Sequence, residues 1–485
     1  MLIRNVRNGP GGPVVDVEVD DRVGGGADGG VITAIRPAGT GASGAAEVFD
    51  GDGGTILPGL RDAHVHLGQW ASARRRIPLD GARSAADAVA RVAAAAGPGT
   101  DFVIGSGFRD ALWPDEPHKD LLAAALPDRP VALTSQDLHT LWLSPAALVA
   151  IGLDHPTGVL VEEDCYRATA ALPAPDTATT DAWVHDALAA AAARGVTAID
   201  DFEYGDTAAD WVRRAEQRPL ATRVGCVISR HLLDTAIARG HRTGHVLTDP
   251  LVTVGPLKLF VDGSLNTRTA WCCTPYPGTD SRGHLALPLP ELTSLIAHAA
   301  AHGISSAVHA IGDAAAAVAL DAFAAVGTRG RIEHAQLVRP RDVARFAELG
   351  ITASVQPAHQ PDDRDVADRW WADRTAHAYP YASLHATGVT LLFGSDAPVA
   401  PLDPWDGIAS AVTRTDDERP PWHPEQALPL AVAVAASCGG RAALTEGDVA
   451  DLTVVTGDLT VNPDLRATEV LLTTVAGRVT HRISS

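Results

Sequence analysis

The chain has 485 residues, 46% of them hydrophobic, and a formal charge of −20 from 59 acidic against 39 basic side chains. That is ample apolar material for a large core. The acidic balance argues against a nucleic-acid or membrane-surface binder, since both need basic patches.

The opening "MLIRNVRNGPGG" has no apolar run of secretory type, and nowhere does the chain approach the roughly 20 apolar residues of a bilayer span. Short strands are expected in "VVDVEVDD", "GVITAIRP" and "AEVFDGDGG", separated by Gly-rich turns, and again in "DVADLTVVTG" and "EVLLTTVAGRVTHR" after residue 449. Both ends therefore read as all-β. Between about residues 185 and 440, short apolar strands alternate with Ala-rich helical stretches. "GVTAIDDFE", "VTVGPLKLFVDG", "ISSAVHAIGD", "GRIEHAQLV", "ITASVQP" and "VTLLFGSDAPV" are the strands, and "DAWVHDALAAAAAR" and "AAAAVALDAFAAVG" are typical helices. Such alternation implies parallel strands joined by crossover helices. Residues 69 to about 180 interrupt the pattern, as an insertion after the first barrel strand would. Five scattered cysteines, including the adjacent Cys272 and Cys273 without CxxC spacing, form neither a disulfide framework nor a thiolate metal site. Reduced thiols in a cytoplasmic protein are expected.

Polar residues that can bind metal sit where the apolar strands end: "AHVH", "LKLFVDG", "AVHAIGD", "RIEHAQ" and "FGSDAP". In parallel α/β barrels those ends form the active-site face. His64 and His66 are two apart, so on a strand both point the same way and can share one cation, although a pair of core histidines is the bland alternative. Lys258 has apolar neighbours on both sides. It is either paired with an acid such as Asp262 or neutralised by CO₂ as a carbamate, which offers two oxygen ligands. His309, His334 and Asp396 each close a strand; singly the two histidines read as structural residues, and Asp396 reads equally as a ligand or as a cap on a helix or turn. Jointly they suit Zn²⁺, or Mn²⁺, Co²⁺ or Fe²⁺. Asp313, just before an Ala-rich run, reads as a helix cap.

"ILPGLRDAHVHLG", "LKLFVDGSLNTRTA", "AVHAIGDAA", "RIEHAQLV", "SVQPAH", "FGSDAPVAPLDPW" and the closing "EGDVADLTVVTGDL" together resemble the amidohydrolase superfamily, within it the amidohydrolase-3 subfamily of N-substituted formamide deformylase-like enzymes. The likeness runs from about residue 30 to 480. It implies a (β/α)₈ barrel over residues 59–439, containing the insertion, and a small β-sandwich built from residues 1–58 and 440–485. It implies one or two divalent metals, zinc by preference, held by His64, His66, Lys258, His309, His334 and Asp396, with Asp396 also shuttling the proton. "SQDLHTLWLS" resembles the subfamily's inserted D-x-H-x-x-W-x-N stretch through Asp137, His139 and Trp142. Ser144 stands where Asn is usual, and Asn266 where Gly is more common.

The expected activity is hydrolysis of a non-peptide C–N bond in an amide or formamide, with His139 hydrogen-bonding the oxyanion and Trp142, Arg268, Gln356 and His359 in the pocket. The polar stretch 356–374 suits an irregular lid, and Trp370, Trp371, Trp405 and Trp422 suit an aromatic wall or core. Other chemistry of the superfamily stays open: deamination, decarboxylation, isomerisation or ester cleavage. Deamination ranks lower because "HAIGD" lacks the Glu that usually follows. A metal-free scaffold is the third reading, and it fits least because every expected ligand position is filled. The partner is a small molecule, with a homodimer left open.

Overall fold

Eight parallel strands make a closed ring in the computed structural model of the chain, which describes residues 1–20, 29–41 and 47–483. In order they are Leu60–Val65, Val196–Asp201, Arg223–Ser229, Val252–Phe260, Ser306–Ala310, Arg331–His334, Thr352–Val355 and Leu391–Phe393, each paired in parallel with the next. A parallel bridge from Val65 to Ala397 closes the ring. This is the expected (β/α)₈ barrel.

Strand alternation sorts the side chains. In the fourth to seventh strands Leu257, Leu259, Val308, Ile332, Ala353 and Val355 face outward and pack with helix residues such as Ile296, Leu320, Phe323 and Phe346. Their neighbours Lys258, His309 and Glu333 therefore face inward. The Ala-rich run forms the helix Asp313–Val326, which Gly327 ends in a left-handed conformation at φ 70°. Asp313 is not its cap: Gly312 holds that position, and the Asp313 carboxylate accepts the amide of Cys273 at 2.8 Å.

The two chain ends join in one eight-stranded sheet, where Arg7 pairs with Thr55 and Leu452 with Pro58. Asp21 and Ala46, which end two of the stretches quoted above, lie outside the described residues. The chain passes from this sheet into the barrel at Gly59, where a Cβ would lie 2.0 Å from Thr197 Oγ1. Only glycine fits so close an approach.

The interruption after the first strand is a small α/β unit with its own five-stranded sheet, built from Ile77–Pro78, Val103–Phe108, Val131–Ser135, Thr140–Leu143 and Val159–Val161. It has two apolar clusters, one of which holds Trp142. The helix Thr177–Ala192, capped by Asp176, then leads back to the barrel. The stretch 356–374 is not irregular: it contains the helix His359–Trp370.

Candidate active site

The C-terminal ends of the first, fourth, fifth, sixth and eighth strands bring His64, His66, Lys258, His309, His334 and Asp396 to one place. One nitrogen each of His64 and His334 and a carboxylate oxygen of Asp396 lie within 4.8 Å of one another. Asp396 Oδ1 is 3.4 Å from His64 Nε2 and 3.5 Å from His66 Nε2. Lys258 Nζ lies 3.4 Å from His64 Nε2. The His309 ring stands 4.4 Å from that of His334; its Nε2 donates to the Gly263 carbonyl at 3.1 Å, which leaves the lone pair on Nδ1.

Local backbone geometry enforces this convergence. His334 and Asp396 have φ of 71° and 58°, left-handed values that non-glycine residues adopt at a cost of about 1–3 kcal/mol and that cluster at functional sites. Gly394 lets the eighth strand cross the first, since a Cβ there would lie 2.6 Å from the backbone nitrogen of His64.

The electrostatics suit a cation. Burial, then the nearby Lys258 charge, holds His64 well below its usual range and lowers His309 to about 3. His334 is likewise well below, through burial and His309. These rings are neutral near pH 7, with lone pairs to offer. Burial works against the Asp396 carboxylate, yet hydrogen bonding and charge from His66, with His359 and Lys258, hold it below its ordinary value. Burial lowers Lys258 to about 8. The alternative partner Asp262 is taken up elsewhere, accepting backbone amides from Trp271, Ile311 and Gly312. His66 Nδ1 and His334 Nδ1 are buried without a hydrogen-bond partner. Imidazoles, a carboxylate and unsatisfied buried nitrogens fit a divalent cation.

The inserted unit reaches this site through His139. Its Nδ1 lies 2.7 Å from Glu162 Oε2 and 2.9 Å from the Tyr166 hydroxyl. Burial opposes its protonation, but Glu162, Asp137 and Asp396 outweigh that and raise it to about 9. His139 is therefore an imidazolium at neutral pH. Ser264 Oγ donates to Asp137 Oδ2 at 3.0 Å, tying the loop after the fourth strand to the same unit.

The other expected pocket residues divide. His359 Nε2 is 4.0 Å from Asp396 Oδ2, and Gln356 is buried with neither amide atom partnered. Gln356 lies two residues beyond the inward-facing Ser354, so it continues that face toward the mouth. Arg268 is at the rim, stacked 4.8 Å over the Trp370 ring. Trp142 requires a correction: it is fully buried in the core of the inserted unit, between Leu133 and Val159 across the sheet and edge-on to Phe108. A large apolar ring gains more from that core than from a wet mouth. Trp371, Trp405 and Trp422 are also core. Ser144 caps the helix Pro145–Ala150.

Sequence reading missed several residues. Phe202 stacks on His64 at 3.8 Å and Glu333 hydrogen-bonds its Nδ1 at 2.7 Å. Tyr204, 52% exposed, stacks 5.6 Å from His66 and 6.4 Å from Phe260, so the open aromatic surface beside the cluster is tyrosine, not tryptophan. Glu333 was marked only by standing before His334; Phe202 and Tyr204 follow the second strand and carry no local signal.

Residues 47–481 match the model of the amidohydrolase family. The chain is 30% identical to the YtcJ protein of Bacillus subtilis, over 89% of this chain and 90% of that one. It is 25% identical to the N-substituted formamide deformylase of Arthrobacter pascens, over 79% and 78%. Among solved structures, an uncharacterized metal-dependent hydrolase of Pyrococcus horikoshii superposes with a TM-score of 0.76 at 23% identity, covering 96% of this chain and 98% of that one. The chain belongs to the amidohydrolase family.

Proposed function

We propose that the protein hydrolyses a non-peptide C–N bond of a small amide or N-substituted formamide. The observation that carries this reading is the convergence of buried imidazoles, His64 and His334 among them neutral, on the ionised Asp396, with the cationic His139 acting on them from the inserted unit. A cation held by His64, His66, His309, His334 and Asp396 would polarise a substrate carbonyl and lower the pKa of water toward neutrality.

The chain's own groups supply the rest. The Asp396 carboxylate takes a proton from the attacking water and returns it to the leaving nitrogen, so water plus amide gives acid plus amine. The His139 imidazolium donates a hydrogen bond to the oxyanion of the tetrahedral intermediate. Gln356 and His359 orient the acyl side, and Tyr204, with Arg268 at the rim, contacts the nitrogen substituent. Lys258, lowered toward neutrality, is a nucleophile for CO₂: its nitrogen bonds the carbon, one proton leaves, and the carbamate gains two ligand oxygens. Zinc is the expected cation, and one or two ions fit the donor set.

The test is hydrolysis by protein reconstituted with zinc, manganese, cobalt or iron against N-formyl amines, N-acyl amines, cyclic amides and esters. Turnover of N-formyl or N-acyl amines above the others supports the reading. Ester-only turnover, or none with any metal, overturns it.

A further inference from the structure

The barrel interior beneath His64 is charged, where branched apolar side chains are usual. Four residues from three strands run in series. Arg61 donates to Asp200 Oδ1 at 2.5 Å, and Arg331 Nη1 donates to Asp200 Oδ2 at 2.7 Å. Arg331 Nε pairs with Glu333 Oε1 at 2.5 Å, and Glu333 Oε2 meets His64 Nδ1 at 2.7 Å. Arg331 Nη2 also donates to the Ala63 carbonyl at 2.9 Å, fixing the sixth strand to the first beside His64. Glu333 is fully buried, and Asp200 nearly so. The far end of the series is solvated: Arg61, Asp200 and Arg331 line a cavity of about 670 Å³ at the N-terminal end of the barrel.

This series has a direction. A carboxylate buried this deeply persists only when both oxygens are engaged. Arg331 pairs with one by charge, which leaves the other to accept a hydrogen from the imidazole. A neutral imidazole that donates from Nδ1 carries its lone pair on Nε2. In His64 that nitrogen faces Asp396 and Lys258. Phe202, stacked on the ring at 3.8 Å, prevents it from tilting away.

We infer that Glu333 is a positioning residue for the metal centre: it fixes the His64 tautomer and ring orientation, and Arg331, Asp200 and Arg61 hold it there. The inference rests on the metal-centre reading above for its consequence, but the tautomer itself is testable without metal.

The experiment uses the full chain in two states. In metal-free protein labelled with ¹⁵N-histidine, the His64 signals, assigned by their loss in His64→Asn, are expected to show a protonated Nδ1 and a bare Nε2. In Glu333→Gln, which keeps the side-chain volume, zinc affinity measured by chelator competition is expected to fall about 10–100-fold. The visible spectrum of the cobalt-loaded variant is expected to shift, a readout that a loss of stability alone does not move. A protonated Nε2 in the wild type overturns the assignment. Wild-type zinc affinity and cobalt spectrum in Glu333→Gln overturn it too, as does an affinity loss with an unchanged cobalt spectrum. If wild-type protein binds no zinc, the metal-centre reading and this consequence fail together, and the tautomer signal alone decides what Glu333 does to His64.

Discussion

His139 Nδ1 lies 2.7 Å from Glu162 Oε2, and this pair joins the ends of two neighbouring strands of the inserted unit, from where the charge of His139 is felt by His309 and His334. The Oε1 atom of Glu162 accepts Thr267 at 2.7 Å and Thr269 at 2.5 Å, both from the loop after the fourth strand. One carboxylate thus holds the insertion against the barrel and charges the imidazole that faces the site.

The pair has a pH signature. The folded-state value of His139 is about 9 against an ordinary 6.5, so its contribution to stability is complete below 6.5 and is lost as pH rises through about 9. Burial opposes, but His139 and the threonines outweigh it and lower Glu162 from 4.5 to about 2, so its share is present above 4.5 and is lost as pH falls through about 2. Wild-type stability in urea is expected to decline from neutrality toward pH 9 more than that of His139→Gln. Parallel curves for the two proteins refute the linkage.

His139→Gln is expected to lower kcat by about 10²–10³-fold on the best substrate, with KM changed much less, as for the loss of one oxyanion donor. A change confined to KM assigns His139 to substrate binding instead.

Asp396→Asn keeps the size and one oxygen of the side chain but cannot accept the proton. It is expected to retain most bound metal by elemental analysis while kcat falls about 10²–10⁴-fold. Turnover at the wild-type rate removes Asp396 from the shuttle.

Lys258→Ala is expected to lose metal and most activity, with partial recovery in acetate or bicarbonate, whose carboxylates stand in for the carbamate. Full metal content and turnover without any addition exclude a bridging carbamate.

Trp142 and Tyr204 separate core from mouth. Trp142→Ala empties a buried site and is expected to destabilise the protein by about 3–5 kcal/mol, read by chemical denaturation. Tyr204→Ala removes an exposed ring, so the melting temperature is expected to hold while KM for substrates with aromatic nitrogen substituents rises about tenfold relative to aliphatic ones. A rise in KM from Trp142→Phe, with Tyr204→Ala silent, reverses the assignment.

Much of this was readable along the chain because strand and helix periodicities are local. The inward and outward faces of "PLKLF", "AVHA" and "RIEH" follow from alternation alone, and so do the strand ends that carry Lys258, His309 and His334. The β-rich termini, the barrel and the residues clustered at its mouth were therefore set by short-range pattern. Partnership between distant segments was not. Glu162 meets His139 from 23 residues away, and Glu333 meets His64 from 269 away. No periodicity encodes such pairs; they arise when the barrel closes at Val65 and Ala397 and when the inserted unit packs over its mouth. Likewise, composition shows a tryptophan or a tyrosine, but only packing decides that Trp142 belongs to a core and Tyr204 to an open rim. The sequence named the donors, and closure of the ring decided which of their lone pairs face one another.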